Sequence, residues 1–107
     1  MNARGEQTIL TPSQVGQYIK GFMDRDRLLS GLLVRGELSN YKRYPSGHHY
    51  FTLKDGEGAL RCVMFRSDAA SLRFQPQNGM QVIAAGRVTV FPRDGQYQLY
   101  CVRLTPE

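Results

Sequence analysis

Tryptophan is absent, and only two of the 107 residues are cysteines. Cys62 and Cys101 stand in apolar runs with no second Cys or His at a metal-ligand spacing, so they read as free, buried thiols in a reducing compartment. Long apolar runs are also missing. Charged or polar residues interrupt each run within a few positions, which excludes a helical membrane span. Met1 to Gln7 lacks the basic-then-apolar pattern of a secretory signal. The chain is therefore expected to be soluble and cytoplasmic, with no membrane partner. The constellations of an active site are lacking too. No paired carboxylates share a segment, no glycine-rich phosphate loop is present, and no Ser or Cys sits in a nucleophile motif. His48 and His49 are adjacent, so on a strand their rings point to opposite sides and cannot share a metal. No catalytic residue, metal site or cofactor is expected.

What is present is positive charge with an address. The formal net charge is +5 and the sequence pI about 9.6, which points to a polyanionic partner. Residues 31–66 hold six basic side chains against three acidic ones, while each flanking block has four against three. Leu38 to Lys54 contains no acid at all, yet it carries Lys42, Arg43, Lys54, His48 and His49.

The apolar pattern changes period along the chain. Residues 1–10 read as a flexible tail and 11–30 as a helical segment packed on the remainder. Thr11-Pro12-Ser13-Gln14 supplies a capping box with proline at the first helical position. Val15, Tyr18, Ile19, Phe22 and Met23 then form one helical face, expected to lie against the core. From Leu32 the period is 2. Strands are expected at 32–39, 48–54, 59–65, 80–90 and 96–104, with a loop at 41–47, a hairpin turn at Asp55-Gly56-Glu57-Gly58 and a short helix within 67–74. Five strands with a helical insertion between the third and fourth is the element order of an OB-fold barrel, assigned to 31–107, with an SH3-like barrel as competitor. Gly36 and Gly86 fall in mid-strand, where a small barrel needs sharp bends.

The hairpin turn fixes a register. With an even loop, Tyr50 opposes Val63, Thr52 opposes Arg61, and His48 opposes Phe65. Phe51, Leu53, Leu60, Cys62 and Met64 then share an apolar face, whereas an odd loop would place Arg61 among them. The other face becomes a stacking platform of His48, Tyr50, Arg61 and Phe65. Aromatic rings cover unpaired bases and cations neutralise phosphates, which is the chemistry of single-strand binding. OB folds use this surface, closed by the loops after strands one and four. Here those loops carry Tyr41, Lys42, Arg43 and Tyr44, and then Arg93. With Arg66 just past strand three, these ten residues are the expected nucleic-acid site. His49 is expected at the rim of the core face, and Arg103 on the side away from the groove.

These residues carry a resemblance. Val34-Arg35-Gly36-Glu37-Leu38-Ser39-Asn40, the stretch from Ser46 to Asp55, and Arg61-Cys62-Val63-Met64-Phe65-Arg66 are similar to the N-terminal OB domain of the bacterial exonuclease VII (exodeoxyribonuclease VII) large subunit. The resemblance runs from about Val15 to the end of the chain. It implies a nuclease that degrades single-stranded DNA from both ends to oligonucleotides, with small subunits bound through a C-terminal part outside this chain. It transfers no catalytic residue, so the domain alone is expected to be inactive, with single-stranded DNA as its partner. A protein-assembly module and an RNA-binding OB domain of the tRNA-synthetase type are the alternatives.

Overall fold

A computed structural model describes residues 7–107; of the tail expected at 1–10, residues 1–6 lie outside the described residues. The elements are α1 (Pro12–Arg25), β1 (Leu32–Arg43), β2 (His49–Lys54), β3 (Ala59–Met64), α2 (Arg66–Ala69), β4 (Gln81–Phe91) and β5 (Gln96–Pro106). The strands close into a barrel in the order β1-β2-β3-β5-β4, with β4 returning to β1. All pairs are antiparallel except β3–β5, a short parallel contact of Cys62 with Leu99 and Val63 with Tyr100. This closure is that of the OB barrel.

The β2–β3 hairpin has the expected register, with Tyr50 opposite Val63 and Thr52 opposite Arg61. Its turn is held by Asp55, whose Oδ1 accepts from the backbone N–H groups of Glu57 and Gly58 at 2.8 and 2.7 Å. Those two donors hold the Asp55 carboxyl below its usual range. Leu38, Phe51, Leu53, Cys62, Met64, Val82, Ala84, Leu99 and Cys101 fill the barrel, with Leu60 partly buried beside them. Both cysteines are free and buried.

Two bulges break the strict alternation. On β1, Ser39 pairs with Thr52 but the next pair is Lys42 with Tyr50, so two residues, Asn40 and Tyr41, oppose Phe51 alone. Asn40 takes a left-handed φ of 52°, a conformation asparagine tolerates, and Asn78 Oδ1 accepts from the Tyr41 N–H at 2.9 Å. On β5, Arg103 pairs with Ala85 and Cys101 with Gly86, leaving Val102 as the extra residue. At this bend a Cβ on Gly86 would sit 2.1 Å from the Tyr100 carbonyl oxygen, so only glycine fits. The bend expected at Gly86 is real, and its cause is the close passage of β5.

α1 has the expected capping box: Thr11 Oγ1 accepts from the Gln14 N–H at 3.2 Å, and Gln14 Oε1 from the Thr11 N–H at 2.8 Å. Its docking differs from expectation. Val15, Tyr18, Ile19 and Phe22 are 42 to 58% exposed, and of the stripe only Met23 packs on the core. The helix turns a different face to the barrel. Gly16 lies against Pro92, and Asp24 Oδ1 accepts from the buried Thr89 hydroxyl at 2.7 Å. A small residue permits close approach, and a buried hydroxyl demands a partner; together they set the helix's rotation. Among the described residues, no helix is long and apolar enough to cross a membrane.

Candidate nucleic-acid interface

The outward face of β2 and β3 forms the floor of an open groove of about 630 Å³. Tyr50, Thr52, Arg61 and Val63 come from the hairpin, Lys42 from the end of β1 and Tyr44 just beyond it, Phe65 from between β3 and α2, and Gln96, Gln98 and Tyr100 from β5. Tyr44 begins a tight turn in which Gly47, at φ 93°, donates its N–H to the Tyr44 carbonyl at 2.8 Å. That turn stands the Tyr44 ring edge-on to Tyr50, centroids 5.0 Å apart at 84°. Tyr50 is 40% exposed and Phe65 42%. Val63 shares their face but is buried, with Tyr100 as its neighbour on β5. Arg61 is held against the sheet by a hydrogen bond from its guanidinium to Gln96 Oε1. Asp94, from the β4–β5 turn, is the acid on the groove wall.

The remaining sequence-predicted residues fall in different places. The β1 bulge is decisive. It brings Lys42 onto the face of Tyr50 and turns its neighbours away. Tyr41, half-buried, stacks on Phe51 at 5.5 Å and 22° and shares a hydrogen bond with His49 Nδ1. Arg43 follows it, pairing with His49 beside Arg73 and Phe74. Tyr41 and Arg43 therefore leave the groove. β1 continues as strand through Arg43, where the sequence pattern predicts a loop from Tyr41. Burial keeps the Tyr41 phenol above its ordinary pKa, and burial, with Arg43 nearby, holds His49 below its own. His49 thus occupies the core-side rim expected of it, with the Tyr41 hydroxyl as its hydrogen-bond partner.

His48 precedes β2. Its Nδ1 accepts the Arg66 backbone N–H at 2.9 Å, and its ring meets Phe65 edge-on at 5.4 Å. That bond leaves Nε2 to carry the proton of the neutral ring. Arg66 is exposed at the start of α2, its side-chain stem against Gly47. Arg93 is exposed at the tip of the β4–β5 turn, outside the groove wall. Arg103 lies outside the groove wall and lines a separate recess that Phe65 also lines.

Residues 10–105 match the family model described as the OB-fold nucleic acid binding domain. The chain belongs to that family. Within it, the chain is 52% identical over 99 residues to the exodeoxyribonuclease 7 large subunit of Clostridium acetobutylicum, covering 92% of this chain and 25% of that protein. It is 50% identical to the large subunit of Ruminiclostridium cellulolyticum, over 92% of this chain and 24% of that one. The chain thus spans about a quarter of the length of these curated relatives. Among solved structures, a replication protein A heterotrimer bound to ssDNA aligns with a TM-score of 0.59 at 18% identity, over 74% of this chain and 58% of that one. The asparaginyl-tRNA synthetase from Pyrococcus horikoshii aligns with a TM-score of 0.57 at 17% identity, over 84% and 21%. At such identities these two likenesses speak for the fold alone.

The OB-fold groove contains residues that sequence reasoning missed. Phe91, Gln98 and Tyr100 line it from β4 and β5. A signal existed in the alternation of Gln96, Gln98 and Tyr100, which puts them on one face. Nothing local reveals that this face adjoins β3, because the pairing is parallel and spans more than thirty residues of chain.

Proposed function

We propose that the β2–β3 groove binds single-stranded DNA, through Tyr44, Tyr50 and Phe65 as base-stacking rings and Lys42 and Arg61 as phosphate contacts, with His48, Arg66 and Arg93 at its margins. The observation that supports this is the convergence of exposed rings and cations from three strands on one open groove. Rings stack on any unpaired base, and flanking cations release counterions from the backbone. The relatives are named as exodeoxyribonuclease large subunits. In the whole protein, accordingly, the domain grips a single strand for a nuclease that shortens DNA from both ends, and small subunits bind elsewhere on that protein. Anisotropy titration of the domain with oligo-dT, oligo-U and heparin tests the reading. Saturable binding with oligo-dT ahead of both others supports it; heparin equal to oligo-dT reduces it to bulk charge, and oligo-U ahead makes it an RNA module.

A second reading, a protein-assembly module, is favoured by the exposed apolar side of α1, where Tyr18 and Phe22 meet edge-on at 5.1 Å. It predicts that Phe22→Glu abolishes self-association in sedimentation without altering DNA binding.

A further inference from the structure

The groove does not end at Phe65. β3 touches β5 over only two residue pairs before it turns into α2, so the sheet opens beyond Val63. Phe65 and Tyr100 stand in that opening with ring centroids 5.8 Å apart and planes 36° from parallel. Both rings line the groove, and both also line a separate recess of about 540 Å³ on their other side. Its floor is Ala85 and Gly86, and Leu33 and Val102 stand in its wall, 66 and 51% exposed. The β5 bulge makes this space: Val102 swings outward as the unpaired residue, and Gly86 contributes no side chain. Two cations rim it. The Arg87 guanidinium lies 4.7 Å from the Tyr100 ring centroid, and Arg103 stands near the bulge. Asp68 is the carboxylate on the wall.

An apolar slot, an aromatic doorway shared with the groove and two guanidiniums at the rim match the chemistry of a nucleotide: a flat apolar base and an anionic backbone. We propose that this recess is a second nucleotide subsite. A single strand leaving the β2–β3 groove crosses the Phe65–Tyr100 pair, seats a base between Leu33 and Val102, and sets its phosphates against Arg87 and Arg103. This rests on the groove being a single-strand site, and continuity through two shared rings favours the same strand over a protein segment as occupant.

The test is a length ladder of oligo-dT, from about 4 to 16 nucleotides, read by fluorescence anisotropy. The parent, an Arg87→Gln/Arg103→Gln double variant, Leu33→Glu and Tyr50→Ala are compared; the three recess side chains are exposed, so the fold tolerates their replacement. The recess variants are expected to bind the shortest oligomer as the parent does and to lose about fivefold or more on the longest. Tyr50→Ala is expected to lose affinity at every length. Recess variants that track the parent throughout, while Tyr50→Ala is weakened, overturn the subsite and leave the groove reading intact. An equal loss at all lengths also overturns it, since that is a general effect of charge. A parent that binds no oligo-dT at any length overturns both.

Discussion

Lys42 and Arg43 are neighbours of like charge on opposite faces of the strand, and the β1 bulge decides that Lys42 is the one on the Tyr50 face. Their removal should therefore have different consequences for DNA binding. A cation on a single-strand phosphate contributes about 0.7 to the slope of log K against log salt. Lys42 and Arg61 are the groove's cations, so together they account for a slope of roughly 1.4. Lys42→Ala should make the dependence shallower by about 0.7, so a tenfold rise in salt should weaken the variant about fivefold less than the parent. Arg43→Ala should leave the slope unchanged, because its guanidinium lies with Tyr41 and His49 on the core-side rim. Tyr50→Ala serves as the internal contrast. It should weaken binding by about 1–3 kcal/mol through lost stacking, with no change of slope. Anisotropy titrations at four or more salt concentrations measure both quantities. A shallower slope for Arg43→Ala with an unchanged one for Lys42→Ala would refute both the bulge and the placement of the groove.

Gly86→Ala should destabilise the domain by about 1–3 kcal/mol or more, since its Cβ would collide with the Tyr100 carbonyl; urea midpoints against the parent measure this. His49 is held below its ordinary pKa, so the folded state resists its protonation. Its contribution is present above about pH 6.5 and is lost as pH falls through the folded value; His49→Gln should flatten urea midpoints between about pH 7 and 5. Burial pushes the Cys101 thiol up to about 11 and raises Cys62 as well, so neither should react with iodoacetamide in the native state and both should react in urea, as mass spectrometry would show. The domain alone should leave 5′-labelled single-stranded DNA intact with or without magnesium. Cleavage that scales with protein and persists after repurification would contradict that expectation.

Local rules account for what the chain revealed without its structure. The turn chemistry of Asp55-Gly56-Glu57-Gly58 and the alternation on either side fix the β2–β3 register, because a one-residue slip would bury Arg61. That register alone puts Tyr50, Arg61 and Phe65 on one face and Phe51, Leu53, Cys62 and Met64 in the core. The capping box at Thr11 and the bend at Gly86 were legible for the same reason: each depends on a few adjacent residues or on one missing side chain. Tertiary structure decided the rest. The bulge that trades Tyr41 for Lys42 depends on Asn78, far along the chain, satisfying the Tyr41 N–H. The rotation of α1 depends on Gly16 meeting Pro92 and Asp24 meeting a buried Thr89. The parallel β3–β5 contact brings Tyr100 to the groove, and Arg103 lines the same recess as Phe65. A period of 2 states which side a residue takes relative to its neighbours; one extra residue inverts that side, and only long-range partners determine where the extra residue falls.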